Sequence, residues 1–124
     1  MDAFKKLGGK VRQFAEDRDW AQFHSPKNLS MALAVECAEL MEHFQWLTES
    51  QSRRLDLRQK GAVEKELADI QIYLIRLSQV LGLDLVAASN AKLIENAKKY
   101  PVHKARGSAK KYTELKLKAP PKRG

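Results

Sequence analysis

Cysteine, aromatic residues and long apolar runs are scarce in this chain of 124 residues, and each scarcity excludes a class of protein. The one cysteine, Cys37, cannot form an internal disulfide, and three scattered histidines do not complete a zinc site with it at the usual spacing. No apolar run approaches the roughly 20 residues that cross a bilayer. The first ten residues also lack the apolar region of a secretory signal. The sequence therefore predicts a cytoplasmic protein that does not enter a membrane.

Turn-forming residues are also few, which leaves helix formers as the bulk of the chain. Six glycines, four prolines and 7% aromatic residues are too few for a fold of many short strands and tight turns. Apolar residues make up 44% of the chain and charged residues 31%, which is enough apolar surface for one folded core. We predict a single all-α domain.

The formal net charge of +8 is concentrated at one end of the chain. Residues 97–124 hold 10 basic residues and one acidic residue, which leaves 13 basic and 14 acidic residues in residues 1–96. The part with helical periodicity is therefore not basic, and we disfavour nucleic acid as its partner. We predict a core over residues 1–100 and a basic, extended tail over residues 101–124. The alternatives for the tail are a salt-sensitive nucleic-acid-binding extension and a solubilising extension.

Apolar periodicity and capping residues predict four helices that form a bundle. The first helix covers about residues 10–20 and follows a flexible segment at Gly8 and Gly9. The second helix begins with Ser25 as its N-cap and Pro26 in its first position, where the missing N–H costs nothing, and it ends near residue 45.

The third helix is predicted over about residues 62–81 and is ended by Gly82. The fourth helix follows Asp84 as a cap and ends before Pro101. Residues 48–61 are polar and charged, which predicts a surface connection, with a helical turn in it, that can move as a lid. Because the third helix is apolar over most of its circumference, one copy of the chain cannot cover it, and we predict a homo-oligomer.

Two pairs of acidic residues at the same spacing are the sharpest feature of the sequence. Glu36 and Glu39 lie on the second predicted helix, and Glu66 and Asp69 lie on the third. Residues three apart differ by about 60° around a helix, so each pair projects from one face. Four carboxylates on apolar faces repel one another unless cations neutralise them, and oxygen ligands favour Mg²⁺ or Mn²⁺. The alternative for either pair alone is a solvated helix face.

A di-iron carboxylate bundle is the rival interpretation of these acidic residues. Such a bundle requires Glu-x-x-His motifs. The residues three positions after Glu36, Glu39 and Glu42 are Glu39, Glu42 and Gln45. We therefore disfavour iron at this site.

Aromatic and amide side chains near the helix ends form a second group of candidates. A flat heterocycle stacks on indole, and an asparagine amide offers both a donor and an acceptor to the edge of a pyrimidine. The alternative for the tryptophans is packing, and the alternative for His24 is ordering of its loop. The candidates are Trp20, His24, Asn28, Trp46, Tyr73 and Asn96. Lys92, Asn96 and Lys99 lie close to one face of the fourth predicted helix, where cations suit a polyphosphate.

In order and spacing, these segments resemble the all-α, MazG-like nucleoside triphosphate pyrophosphohydrolases, and within that family the dCTP pyrophosphatase branch. The resemblance spans nearly the whole chain. The segments that carry it are Arg18-Asp19-Trp20, Pro26-Lys27-Asn28-Leu29, Glu36-x-x-Glu39-Leu40, Phe44-Gln45-Trp46, Glu66-Leu67-Ala68-Asp69-Ile70 and Lys92-x-x-x-Asn96-x-x-Lys99-Tyr100-Pro101-Val102-His103.

This resemblance implies Mg²⁺-dependent hydrolysis of a deoxynucleoside triphosphate, dCTP or a modified dCTP, to the monophosphate and pyrophosphate. It also implies a homo-oligomer that is a dimer of dimers, and a role in clearing the nucleotide pool. A related dUTP or other nucleoside triphosphate pyrophosphatase is the alternative, because Val35 replaces a glycine of many relatives and residues 48–61 depart from their pattern. A non-catalytic helical interaction protein is the third interpretation.

The resemblance also implies a role for each candidate residue. The metal-binding and catalytic positions are Glu36, Glu39, Glu66 and Asp69, with Glu36 preferred as the group that activates water. The residues implied around the base are Trp20, Trp46, Tyr73 and Asn96, with His24 as a further substrate contact, and those implied at the phosphates are Lys92, Lys99 and Tyr100.

Overall fold

The computed structural model describes residues 2–110, and these residues are helical apart from short connections. The helices are α1 (Ala3–Asp17), α2 (Pro26–Glu42), α3 (Glu49–Ser52), α4 (Leu57–Leu81), α5 (Leu85–Lys99) and α6 (Val102–Ala105), with a short 3-10 helix at Ala21–Phe23. No strand occurs in the described range, which confirms the all-α prediction. The part of the predicted basic tail beyond residue 110 lies outside the described residues.

The count of four helices is not confirmed, because six α-helices are present in the described range. Helices α1, α2, α4 and α5 correspond to the four predicted helices. Helices α3 and α6 have four residues each, and α6 lies inside the segment that was predicted to be an extended tail.

Helix α1 begins seven residues earlier than predicted, so Gly8 and Gly9 lie inside a helix rather than in a flexible segment. The Asp2 side chain caps the helix by accepting a hydrogen bond from the Lys5 N–H at 2.8 Å. From helix α4, the Gln79 amide donates to the Gly8 carbonyl oxygen at 2.7 Å. This cap and this contact between helices outweigh the low helix propensity of two glycines, which amounts to about 1 kcal/mol each.

Helix α2 begins as predicted. Pro26 is in its first turn, and the Ser25 hydroxyl accepts a hydrogen bond from the Asn28 N–H at 3.1 Å. Leu29, one turn further on, is the largest fully buried side chain. The helix ends at Glu42, three residues before the predicted end.

Two capping boxes organise the segment predicted as a surface connection. Thr48 and Gln51 bond reciprocally at the start of α3, and Asp56 and Gln59 do the same at the start of α4. Helix α4 therefore begins five residues before its predicted start. It ends at Leu81 as predicted, and Gly82 follows with a φ of +68°, a left-handed conformation that glycine adopts without a steric penalty.

Contacts divide the chain into two units after Asp84. In the first unit, α2 packs along α4 and α1 packs against α4. In the second unit, the ammonium groups of Lys92 and Lys99 both bond to Glu95 Oε1 at 3.2 Å along α5. The predicted boundary near residue 100 stays a prediction.

Few apolar side chains are buried for a chain of this length. The buried apolar residues of the described range are Val11, Ala15, Leu29 and Ile75. Val35 on α2 and Leu67 on α4 are each more than half exposed. By length and composition, no single described helix can cross a membrane, and α4 and α5 pass that test only when taken together.

The burial of Leu29 gives a test of the fold. Leu29 is 2% exposed, so we expect Leu29→Ala to lower the free energy of unfolding by about 2–5 kcal/mol through lost burial and a residual cavity. Leu57, which is 88% exposed in the first turn of α4, is the matched control, and Leu57→Ala should change that free energy by less than about 0.5 kcal/mol. Urea unfolding at one fixed protein concentration measures both, and equal losses would contradict the described core.

Candidate metal centre and adjoining cavity

Three carboxylates converge where α2 packs along α4. Glu36 and Glu39 are one turn apart on α2 and Glu66 faces them from α4, so that one oxygen of each lies within 4.8 Å of the others. All three side chains are half-buried. Asp69, one turn after Glu66, is exposed and lies outside this group of three, but it lines the same cavity as Glu36.

The convergence leaves two oxygens without a donor. Oε2 of Glu36 and Oε2 of Glu66 are both buried, and neither accepts a hydrogen bond. A proton on Glu36 would supply a donor to Glu66, and this pairing is the largest reason that the pKa of Glu36 is raised from 4.5 to about 7. Burial of Glu36 and the neighbouring carboxylates of Glu39 and Asp69 raise the pKa further.

A divalent cation fits these residues. Within residues 2–110, neither Glu36 nor Glu66 forms an ion pair with a lysine or an arginine, so the crowded negative charge has no compensation from the described chain. Several carboxylate oxygens at one point are the ligand set of hard cations such as Mg²⁺ and Mn²⁺. The absence of a cysteine or histidine from the cluster disfavours a soft metal.

A cavity of about 410 Å³ adjoins the carboxylates. Its volume is in the usual range for small-molecule sites, and its walls are largely apolar and aromatic with a few polar groups, as such sites require. The lining residues come from α1, the loop that follows it, α2 and α4: Leu7, Lys10, Val11, Phe14, Ala15, Trp20, His24, Glu36, Asp69, Ile72, Tyr73 and Arg76.

The loop after α1 fixes the position of Trp20. The preceding residue, Asp19, has a φ of +53°, a left-handed conformation that aspartate tolerates better than most residues. This reversal lets the Trp20 N–H donate to the Ala15 carbonyl oxygen at 2.9 Å, and the Gln22 amide holds Asp19 through its carbonyl and carboxylate oxygens. The indole meets Phe14 edge to face at a centroid distance of 5.6 Å, and the residue stays 41% exposed while it lines the cavity.

A buried arginine lies on the wall of the cavity next to His24. Arg76 on α4 is only 8% exposed, and its Nε–H donates to His24 Nδ1 at 2.9 Å. Its Nη1–H donates to the Gln79 side-chain oxygen at 3.2 Å. Burial of His24 and the positive charge of Arg76 hold the pKa of His24 below its ordinary value of 6.5. The imidazole is therefore neutral at physiological pH.

The structure brings some of the predicted site residues together and not others. Trp20, His24, Tyr73, Glu36 and Asp69 line one cavity, and Glu39 and Glu66 join Glu36 beside it. Trp46, in contrast, is 86% exposed and does not line this cavity. The Asn28 amide donates to the Phe23 carbonyl oxygen at 3.1 Å and so orders the loop. The second unit contains Lys92, Asn96, Lys99 and Tyr100, and the roles predicted for them stay predictions.

Sequence reasoning missed Lys10, Phe14 and Arg76, all of which line the cavity. Nothing in the sequence around Lys10 and Phe14 separates a residue that lines a cavity from one that packs or is solvated on a helix face. Arg76 had a usable signal, because it lies three residues after Tyr73 in an apolar stretch of α4. A charged residue on an apolar helix face is the same kind of signal that the four acidic residues gave.

The fold and the carboxylate cluster define a class of all-helical proteins that carry acid-x-x-acid pairs on two adjacent helices. A sequence model of the MazG-like family matches residues 31–115, which is more than half of the chain. This chain belongs to the MazG-like family, which confirms the resemblance seen in the sequence. Pyrophosphatases of this family generally depend on a divalent metal, and a cluster of acidic residues is present here.

Known proteins with similar sequences are dCTP pyrophosphatases. The chain is 44% identical over 105 residues to dCTP pyrophosphatase 1 of Homo sapiens and 45% identical over 105 residues to that of Bos taurus. Each match covers 83% of this chain and 62% of the relative, so the chain spans less than two thirds of the length of these relatives. A pyrophosphatase from Archaeoglobus fulgidus has a similar structure, with a TM-score of 0.77 and 36% identity over 82% of this chain and 94% of that one.

The raised pKa of Glu36 predicts how the stability of the metal-free protein changes with pH. Folded Glu36 keeps its proton up to about pH 7, whereas the unfolded chain releases it near pH 4.5. The folded state therefore binds more protons between these values, and this group makes the free energy of unfolding fall as pH rises from 4.5 to 7. We expect Glu36→Gln to raise the free energy of unfolding above neutral pH in EDTA, because its amide donates to Glu66 without adding charge.

Urea unfolding at pH 8 and at pH 5 measures this effect, with the gain of Glu36→Gln larger at the higher pH. Glu49→Gln is the control, because Glu49 is exposed in the first turn of α3 and outside the cluster. A Glu36→Gln variant less stable than the unchanged protein at pH 8 would contradict the described repulsion.

Proposed function

We propose that this chain is a Mg²⁺-dependent nucleoside triphosphate pyrophosphohydrolase that converts dCTP, or a dCTP modified on its base, to the monophosphate and pyrophosphate. Such an activity clears unwanted nucleotides from the cellular pool. The observation that carries the proposal is the convergence of Glu36, Glu39 and Glu66, with two buried oxygens that lack donors, at the edge of a cavity lined by Trp20 and Tyr73. The dCTP pyrophosphatases with which the chain shares 44–45% identity support the same substrate.

Glu36, Glu39, Glu66 and Asp69 are the residues that we propose to hold the divalent ion. Once bound, Mg²⁺ supplies the positive charge that stabilises negative charge on the phosphates and lowers the pKa of a bound water. Asp69 is exposed in the described structure and lines the cavity together with Glu36.

Glu36 is our candidate for the group that takes a proton from the attacking water. The bond between the α- and β-phosphoryl groups is cleaved, with the hydroxyl of water added to one product and its proton passed to a carboxylate. Glu36 is half-buried where α2 packs along α4, and it lines the cavity in which the triphosphate is proposed to bind.

The aromatic walls of the cavity are the proposed base site. Trp20 is partly exposed and lines the cavity, and Tyr73 lines it one turn after Asp69. Trp46 and Asn96 remain proposed base contacts, and Lys92, Lys99 and Tyr100 remain proposed phosphate contacts, on the strength of the resemblance alone. In the described structure Lys92 and Lys99 already share Glu95, whose carboxylate a phosphate group would have to displace.

A related pyrophosphatase for dUTP or another nucleoside triphosphate is the alternative. Release of pyrophosphate from a panel of dNTPs, ribonucleotides and 5-substituted dCTPs separates the two candidates. We expect the ratio kcat/KM to be highest for dCTP or one of its 5-substituted forms. A higher kcat/KM for dUTP would show that dUTP, and not dCTP, is the substrate of the same reaction. No release of pyrophosphate from any member of the panel would refute the activity.

Removal of single carboxylate charges tests the proposed site. We expect Glu39→Gln and Asp69→Asn each to abolish pyrophosphate release and to leave the helical circular dichroism unchanged, because an amide keeps the shape of the side chain and loses the charge that binds a metal. Glu42→Gln on α2 and Glu64→Gln on α4 are matched controls, since both residues are exposed and outside the cluster. Full Mg²⁺-dependent activity in either site variant would contradict the assignment.

We also propose that a second copy of the chain covers the exposed apolar surface of α2 and α4, in an assembly that is a dimer of dimers. With four apolar side chains buried in the described range, one copy alone leaves large apolar residues such as Met31 and Val35 on α2 and Leu67 on α4 exposed by more than half. Met31 and Val35 are four residues apart and so share one face of α2. A protein that buries this apolar face in a self-complementary contact gains the core that the single chain lacks.

Sedimentation equilibrium tests this proposal. We expect a mass above that of one chain for the unchanged protein and a shift toward the monomer for Val35→Glu, because the new charge is buried without a partner at the contact. Ser50→Glu, which adds the same charge at an exposed polar position of α3, should leave the mass unchanged. A monomeric unchanged protein at micromolar concentration would refute the assembly.

A further inference from the structure

The cavity wall holds a cation that forms no ion pair with a carboxylate of residues 2–110. Arg76 is 8% exposed, and within that range it donates hydrogen bonds to a histidine nitrogen and to an amide oxygen, both neutral. Burial of a guanidinium is costly unless its donors are well used. The two acceptors therefore offset part of the cost of burying Arg76. Of these two, His24 lines the cavity together with Arg76.

The direction of this hydrogen bond fixes the state of the histidine. A guanidinium has five N–H donors and no acceptor, so His24 Nδ1, at 2.9 Å from Arg76 Nε, must be the acceptor and must carry no proton. In a neutral imidazole the other nitrogen, Nε2, then carries the hydrogen. Since Nδ1 is engaged by Arg76, Nε2 is the ring nitrogen that remains for a ligand in the cavity.

Gln79 holds the arginine in its orientation. Its amide nitrogen donates to the Gly8 carbonyl oxygen of α1 at 2.7 Å, so its oxygen is the atom left to face Arg76, and it accepts from Nη1 at 3.2 Å. The chain of bonds runs from the backbone of α1 through two side chains of α4 to the loop before α2. The Gly8 carbonyl oxygen can only accept and the Arg76 guanidinium can only donate, so these two groups fix the orientation of the Gln79 amide between them and the tautomer of His24.

We propose that Arg76 is a positioning residue that holds His24 as an Nε2–H hydrogen-bond donor, and that this donor recognises an acceptor atom on the base of the bound nucleotide. The ligand part of this inference rests on the proposed function, and the part that concerns the histidine does not. Burial and the charge of Arg76 act in the same direction, since both hold the pKa of His24 below 6.5 and keep the ring neutral. Trp20, whose ring centroid lies 6.1 Å from that of His24, provides the adjoining aromatic surface.

Nitrogen NMR on the full chain tests the state of His24 without any substrate. We expect Nδ1 to resonate as an unprotonated nitrogen, Nε2 as a protonated one, and a scalar coupling to connect Arg76 Nε with His24 Nδ1 across the hydrogen bond. Arg76→Met should abolish the coupling and allow the second tautomer to appear. Arg76→Lys should keep Nδ1 unprotonated, because an ammonium group also donates and cannot accept. A protonated Nδ1 in the unchanged protein would overturn the inference.

Steady-state kinetics with dCTP test the consequence for the ligand. Loss of one hydrogen bond that is present in both the ground state and the transition state raises KM and leaves kcat unchanged, so we expect Arg76→Met to raise KM about 5- to 10-fold. Arg76→Lys should keep KM close to that of the unchanged protein. Arg58→Met on the same helix is the matched control, because Arg58 is exposed and outside the cavity, and it should leave both constants unchanged.

A double-mutant cycle decides whether Arg76 acts through His24. If it does, Arg76→Met should have no further effect on KM once His24 is alanine. Effects that multiply in the double variant would overturn the inference, because they would show that the guanidinium contacts the nucleotide itself. If the unchanged protein hydrolyses no nucleoside triphosphate, the proposed function fails, and the NMR result alone then supports or overturns the inference about His24.

Discussion

Repulsion between buried carboxylates is the constraint on which the rest of this structure depends. Glu36 and Glu66 face each other from α2 and α4, with a buried oxygen on each that has no donor. An arrangement of this kind lowers the stability of the empty protein, and it raises the pKa of Glu36 to about 7. In the function that we propose, a divalent cation would join the cluster, and the charges that repel one another in the empty protein would attract that ion. Binding of the ion would then offset the loss of stability.

The remaining elements hold this cluster and shape the space beside it. Contact between α2 and α4 sets the separation of the carboxylates, and α1 closes the cavity with Val11, Phe14 and Ala15. The loop after α1 brings in Trp20 and His24, and the latter is oriented by Arg76 from α4. A polar network that begins at the Gly8 carbonyl oxygen thus links α1 to Arg76 and His24 on the cavity wall.

Local signals explain which parts of this structure were predictable. Ser25 and Pro26 mark the start of α2, and Gly82 marks the end of α4, because caps depend on residues that are neighbours in sequence. The acid-x-x-acid spacing on two helices predicted that Glu36, Glu39, Glu66 and Asp69 converge, and the structure groups the first three while Asp69 stays exposed. The predicted start of α1 was wrong because Gln79, which lies 71 residues after Gly8, bonds to its carbonyl oxygen and so supports two glycines in a helix. Arg76 was missed because its role depends on a contact with His24, which is 52 residues away in the sequence. Trp46 was predicted to contact the base, but it does not line the described cavity.

The proposed function requires that Glu36 and Glu66, with their neighbours, bind a divalent cation. Electron paramagnetic resonance of Mn²⁺ measures this most directly, because bound ions lose the sharp signal of the free ion. We expect the unchanged chain to bind Mn²⁺ at pH 8, Mg²⁺ to displace it, and the double variant Glu36→Gln with Glu66→Gln to lose this binding. Equal binding of Mn²⁺ by the double variant and the unchanged chain would contradict it.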